Sequence, residues 1–249
     1  MIIGEQVLEE LGSGPAHMAR AWLPSGGRLL EIGCSSGYLT HHFLGKVESM
    51  VGLDINPAAL ASARRRHPPL RVVCSDVERL PFADGSFDAV VMLEVIEHTG
   101  SDVAAVAEIR RVLKVGGTLI LSTPHAGIFA FLDPYNLRRA LQQRFPSAYV
   151  AAGWLVRFES GQFTANVERH RHYALAELVA LLGGDFVIRA VYRGGFLFFP
   201  LVAAAISVAG RLCNSPSVLR PLLRVLNWDF RCRFGRLSYN VMVLARKVR

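Results

Sequence analysis

Cysteine is scarce in this 249-residue sequence, and the four present (Cys34, Cys74, Cys213 and Cys232) form no CxxC pair. That argues against a zinc site or a disulfide framework, so no metal is expected, and it fits a reducing compartment. No apolar run reaches the ~20 residues of a spanning helix. One long uncharged stretch, Gly194–Gly210, is interrupted by Pro200 and bounded by Arg193 and Arg211. The opening "MIIGEQVLEELG" lacks both the basic and the apolar region of a secretory signal, so a cytoplasmic location is expected. Internal repeats and low-complexity linkers are also missing. Acidic residues run short in one place only: Phe186–Arg249 holds 11 Lys/Arg and a single acid, Asp229. The net charge of +8 therefore resides in the C-terminal quarter. A solvated basic face would explain it, as would an anionic partner such as a membrane surface or a phosphorylated substrate.

The sequence does contain a rhythm of apolar runs alternating with helical periodicity. Strands are expected at Arg28–Ile32, Ser49–Leu53, Leu70–Cys74, Phe87–Met92, Thr118–Ser122, Phe186–Tyr192 and Tyr239–Ala245. Helices are expected at Val7–Leu11, His17–Leu23, Leu39–Leu44, Pro57–Arg66, Asp102–Leu113 and Leu175–Leu182. Unbroken apolar strands between helices imply an α/β fold with a mostly parallel sheet covered on both faces. The chain reads as a single domain, 1–249, with two insertions. Residues 125–169 follow the fifth strand, are rich in aromatics and read as a lid. Residues 194–236, first apolar and then basic, separate the last two strands.

"LLEIGCSSGYLT" (Leu29–Thr40) breaks from a strand into glycine and serine. A dinucleotide fingerprint would read G-x-G-x-x-G; Gly33 and Gly37 give only G-x-x-x-G. Glu31 sits at the strand end, where its carboxylate would repel a pyrophosphate and attract a cation. S-adenosyl-L-methionine, with its sulfonium and ammonium and no phosphate, suits that charge. Asp54 ends the second strand, where a carboxylate can accept from ribose hydroxyls. Asp76 ends the third, where it can accept from an adenine amine, and Glu94 ends the fourth. Strand ends converge on one crevice in such a sheet.

"EIGCSSG", "GLDIN", "SDVERLPFADGSFDAVVMLEVIEH" and "RRVLKVGGTLILSTP" resemble the successive motifs of the class I S-adenosylmethionine-dependent methyltransferases. The similarity is to the small-molecule group that includes the ubiquinone and menaquinone biosynthesis enzymes. It covers Leu29–Pro124 closely, and "HRHYALAELVALL" and "YNVMVLARK" more loosely. The resemblance implies a three-layer, Rossmann-like, seven-stranded sheet, mostly parallel with an antiparallel last strand, plus helical insertions. It also implies site residues: Glu31, Gly33, Cys34 and Gly37 toward the methionine part, and Asp54 on the ribose with Ile55 against the adenine. Asp76 and Val77 would lie at the adenine edge, with Glu94 and Val95 on the floor. Two departures stand out: Ser35-Ser36 before the last glycine, and Ala174 where a hydroxyl would cap the late helix.

Methyl transfer to oxygen needs a base, and histidine suits it. His98 and His125 follow strands four and five, and His170 and His172 lie where the chain returns to the sheet; His125 or His172 is the expected base. His41, His42 and His67 read as surface residues. The acceptor is expected to be a hydrophobic small molecule or lipid, methylated on oxygen and less favourably on carbon. Nucleic acid is a weaker candidate, because "LEVIEH" stands where base-modifying enzymes carry an Asn/Asp-Pro-Pro-aromatic motif. In "SVLRPLLRVLNWDFRCRFGR", Leu219, Leu222, Leu223 and Leu226 can share one face, with Arg220, Arg224 and Arg231 elsewhere and Trp228 beside them. Such a helix suits an anionic lipid boundary, placing the protein peripherally at the inner membrane face, or else it closes the substrate pocket. A methyltransferase-like binding module that does not turn over is the alternative of another class, and a nicotinamide-dependent oxidoreductase is disfavoured by Glu31.

Overall fold

Leu29, Leu30 and Ile32 are buried although they alternate between faces of their strand, because that strand has a parallel neighbour on each side and helices over both faces. The computed structural model describes residues 13–127, 130, 133–149, 171–195, 202, 205 and 215–249. Its strands are β1 (Arg28–Ile32), β2 (Ser49–Asp54), β3 (Arg71–Cys74), β4 (Phe87–Leu93), β5 (Leu113–Pro124), β6 (Phe186–Gly194) and β7 (Asn240–Lys247). They form one seven-stranded sheet in the order β3-β2-β1-β4-β5-β7-β6. β1 to β5 run parallel, while β7 lies antiparallel between β5 and β6. The order reverses between β1 and β4, and crevices for ligands open at such a point.

The described helices are α1 (Gly14–Trp22), α2 (His41–Leu44), α3 (Pro57–Arg66), α4 (Asp102–Val112), α5 (Pro134–Arg144), α6 (Leu175–Leu182) and α7 (Pro216–Arg231). One face of the sheet packs Leu30, Ile32, Leu53, Val90 and Leu119 against Val106 and Ile109 of α4 and Leu178 of α6. The other packs Leu29, Met50, Val91, Ile120 and Met242 against Ala16 and Ala19 of α1, Leu60 of α3 and Phe230 of α7. α3 and α4 start where their cap chemistry dictates. Asn56 accepts from the N–H groups of Ala58 and Ala59 before Pro57, and Ser101 accepts from Ala104 before Asp102. Ala174 has no oxygen to offer, so only half of a capping box forms: Ala174 N–H donates to Glu177 at 2.7 Å.

Three expected element starts moved by two or more residues. The helix expected at Leu39–Leu44 shrinks to His41–Leu44, because the Thr40 hydroxyl turns inward to Glu31. β5 begins at Leu113 rather than Thr118, since Gly116 adopts φ +79° and lets the chain fold back so that Leu113 pairs with Phe87. The first described helix begins three residues before His17, where Ser13 caps it and Pro15 fits its first turn. The helix expected at Val7–Leu11 lies outside the described residues, as do Trp154, Phe158 and Phe163 and most of Gly194–Gly210.

α7 presents Leu219, Leu223 and Phe230 inward, with Leu222 and Leu226 half-buried. Gly14 makes room for it: a Cβ there would lie 2.3 Å from the Phe230 ring. The Tyr192 hydroxyl donates to the Phe230 carbonyl at 2.7 Å and ties the helix to β6.

Candidate functional site

Glu31 is the penultimate residue of β1, its side chain buried between the apolar Leu30 and Ile32. The Thr40 hydroxyl donates to it at 2.6 Å. Burial raises its carboxyl to about 7, the Thr40 bond opposes the rise, and the nearby Asp54 carboxylate adds to it. The same surroundings push the buried Cys34 thiol well above its ordinary range, burial first and then the carboxylates of Glu31 and Asp54. Cys34 is therefore a packing residue against Gly52 and not a nucleophile.

The loop after β1 is held from two directions. Gly33 and Cys34 donate their N–H groups to the Leu53 carbonyl at 2.7 and 3.0 Å. Ser35, in the left-handed region at φ +48°, donates its N–H to Asp54 Oδ2 at 2.9 Å. Asp54 Oδ1 accepts from Asn56 N–H at 2.8 Å. Asp54 thus clasps the glycine loop to the tip of β2, with lone pairs left on both oxygens for hydroxyl donors. Gly33 has φ +77°, and a Cβ there would fall 2.3 Å from Val95 Cγ2. Val95 thereby brings the end of β4 against the loop. The Gly37 carbonyl meets His67 Nε2 at 2.8 Å.

Ile55 is 68 % exposed beside Asp54, an apolar surface suited to one face of a base. Asp76 is exposed, and its Oδ1 accepts from Glu78 N–H at 2.9 Å. The Val77 side chain is buried in the core beneath that turn. Glu94, at φ +54°, accepts from the Ser122 hydroxyl at 2.5 Å and Asn240 Nδ2 at 2.7 Å. The tips of β4, β5 and β7 are thereby joined. Two non-glycine residues in the left-handed region, Ser35 and Glu94, flank the crevice, as strained residues at ligand sites do.

These residues fit S-adenosylmethionine. The side chains at the ends of β1 to β4 are acceptors and carry negative charge, which suits an ammonium, a sulfonium and ribose hydroxyls. In that fit Glu31 and the glycine loop would hold the methionine part and Asp54 the ribose, with Ile55 and Asp76 on the adenine.

A second group lies toward α5 and α6. A cleft of about 1010 Å³ is lined by Glu97, His98, Asn136, Arg139, Arg171 and His172, among others. His172 Nε2 stands at ion-pair distance, 3.2 Å, from Asp133 Oδ2. Asp133 is fully buried. It accepts from the Tyr239 hydroxyl at 2.6 Å and from Asn136 N–H at 3.0 Å, so it caps α5 with the His172 ring beside it. His125 is buried, with Nδ1 3.0 Å from the Ser238 carbonyl, and desolvation lowers its pKa. His125 is not among the described lining residues, whereas Ala126 and His172 are. His98 is exposed on the cleft wall, and His170 lies outside the described residues.

His41, His42 and His67 are not simply surface residues. They are half-buried and, with His17, form a row of ring contacts. Burial pushes His42 down to about 4. Sequence reasoning missed Thr40, Ser122, Asn240, Tyr239 and Asp133. For Asp133 a signal exists, since Asp before Pro134 reads as a helix cap.

Residues 30–121 match the family model described as a methyltransferase domain. A probable S-adenosylmethionine-dependent methyltransferase of Mycolicibacterium smegmatis is 32 % identical over 175 residues, covering 68 % of this chain and 65 % of the relative. The demethylmenaquinone methyltransferase of Beutenbergia cavernae is 34 % identical over 119 residues, 47 % of this chain and 50 % of that protein. The chain thus spans between half and two thirds of the length of these relatives. Among solved structures, an S-adenosylmethionine-dependent methyltransferase from Mesorhizobium loti superposes with a TM-score of 0.58 at 19 % identity, covering 95 % of this chain and 99 % of that one. That likeness concerns the fold.

Proposed function

We propose that this chain, which carries a class I S-adenosylmethionine-dependent methyltransferase domain, methylates a hydroxyl oxygen of a hydrophobic small molecule or lipid-linked acceptor. The single observation behind the reading is that His172, in the wall of the cleft, lies 3.2 Å from the buried carboxylate of Asp133. S-adenosylmethionine, when bound, supplies an electrophilic methyl group. The protein's own residues do the rest. Asp133 faces Nε2 of His172 at ion-pair distance, which leaves Nδ1 to take the acceptor's hydroxyl proton. Asp133 stabilises the imidazolium that results. Buried between His172 and the Tyr239 hydroxyl, Asp133 is restrained to one geometry. Positioning supplies much of the acceleration in an in-line displacement, and the clasped glycine loop is the rigid element that provides it.

Asn136, Arg139 and Gln143 of α5 share one face and line the cleft with His98 and Arg171. That polar wall suits the hydroxyl-bearing end of the acceptor. The demethylmenaquinone methyltransferase relative carries such an apolar acceptor in its name, which supports the class and not the compound. A lipid-linked acceptor would be met at a membrane face, the peripheral location expected from the basic C-terminal quarter.

The test is release of S-adenosylhomocysteine from S-adenosylmethionine with a panel of hydrophobic phenols, quinols and lipid-linked alcohols. Turnover that is lost in His172→Gln while cofactor binding persists supports the reading. Cofactor binding with no turnover on any acceptor class favours the non-catalytic binding module.

A further inference from the structure

The outer face of α7 combines apolar exposure with charge of a single sign. Its inner face is committed: Leu219, Leu223 and Phe230 are buried against α1 and the sheet. At about 3.6 residues per turn, the outward residues fall into two adjacent strips. Arg220, Arg224 and Arg231 form one, all exposed. Val218, Pro221, Val225 and Trp228 form the other. Trp228 is 61 % exposed, and Val218 and Val225 are also open to solvent. Just beyond the helix Phe234 and Leu237 are exposed as well, beside Arg233 and Arg236.

Asp229, the one acid in Phe186–Arg249, is buried, with 1 % exposure. None of the described residues lining the cleft comes from α7, so the helix is not part of that wall. No helix among the described residues is long and apolar enough to cross a membrane.

We infer that α7 lies flat on an anionic lipid bilayer, with Val218, Pro221, Val225 and Trp228 sunk to the headgroup boundary and Arg220, Arg224 and Arg231 against lipid phosphates. Three physical points favour this occupant. An indole with one polar edge sits stably at the headgroup level, and arginine stems can lie along apolar surface while their guanidinium groups reach anions. A nucleic acid would satisfy the arginines but leave the valines and Trp228 in water. A second copy of this face would set arginine strip against arginine strip. The inference extends beyond methyl transfer, because bilayer binding requires neither cofactor nor acceptor.

The experiment is co-sedimentation of the full chain with equimolar phosphatidylglycerol–phosphatidylcholine vesicles, and with phosphatidylcholine alone. Binding is expected to the anionic vesicles, falling by about tenfold when salt rises from about 0.05 to about 0.5 M, as the Debye length shortens. Arg224→Glu/Arg231→Glu should lose about tenfold in partitioning. Trp228→Ser should lose severalfold and also the quenching seen with brominated lipids. S-adenosylhomocysteine affinity, measured on the same preparations, should be unchanged in both variants, which shows that they fold. Failure of the wild type to sediment with anionic vesicles at low salt overturns the inference. So does single-stranded oligonucleotide binding that outcompetes the vesicles and is unaffected by Trp228→Ser. A dimer that Trp228→Ser converts to monomer would assign the face to a second copy instead.

Discussion

Thr40 donates its hydroxyl hydrogen bond to the buried carboxyl of Glu31 at 2.6 Å, across the loop that carries the two site glycines. The loop and the buried acid are therefore one unit, and the acid's charge depends on what the loop holds.

Burial raises Glu31 to about 7. A cationic ligand favours the ionised carboxylate, so binding lowers that pKa and releases a proton. Affinity for S-adenosylmethionine should therefore weaken as pH falls below about 7 and level off above it, by about tenfold between pH ~6 and pH ~8. Calorimetric titrations at the two pH values measure this, and Glu31→Gln should remove the slope. Folding shows the opposite trend. The folded chain holds this proton more tightly than the unfolded one, so this group's contribution to ligand-free stability declines as pH rises from the ordinary carboxylate range to about 7. A wild-type affinity that is flat across the range would contradict the assignment of Glu31 to the ligand.

Asp54→Ala should cost on the order of 1–3 kcal/mol of S-adenosylhomocysteine binding, the range for unpaired buried polar groups. Part of the loss reaches the loop itself, because Ser35 N–H loses its acceptor while its backbone stays at φ +48°. Asp54→Asn, which keeps one acceptor oxygen, should fall between. Affinity within error of wild type for the alanine variant removes Asp54 from the site.

Asp133→Asn should lower kcat on the order of 10²–10³ on a competent acceptor, within the range for general-base catalysis. Cofactor affinity should change little, since asparagine can still cap α5. The acid-side limb of the pH–rate profile, where a general base becomes protonated, is the readout that a structural role alone would not move. Tyr239→Phe removes one donor from Asp133 and should shift that limb with a smaller loss of kcat. An unaltered profile in both variants would detach Asp133 from the chemistry.

Gly33→Ala meets two obstacles, a backbone at φ +77° and Val95 Cγ2 at 2.3 Å from the new Cβ. It should lower the melting temperature and weaken cofactor binding. Adding Val95→Ala restores the space but not the torsion, so recovery should be partial, with about 1–3 kcal/mol of strain remaining. Complete recovery in the double variant would show that steric contact alone requires glycine here.

Much of this arrangement could be read before the fold was known, wherever function rests on short local patterns. Pro57 after Asn56, and the acids closing β1 to β4, carry their meaning within a few residues. The antiparallel course of β7 was implied by resemblance and not by periodicity. What stayed hidden depends on contacts distant in sequence. Asn240 reaches Glu94 across 146 residues and Tyr239 reaches Asp133 across 106, and no local spacing signals either. Thr40 looked like an ordinary residue at a helix start because its hydroxyl partner lies on the preceding strand. His41, His42 and His67 read as solvated for the same reason, since α1, α2 and α3 meet only in the folded chain.

The most direct measurement is calorimetric titration of the chain with S-adenosylhomocysteine, with NADH as the comparison ligand, at a pH of about 8, where Glu31 is mostly ionised. The account predicts one-site micromolar binding of S-adenosylhomocysteine and no heat from NADH. Binding of NADH, or of neither ligand, would contradict it.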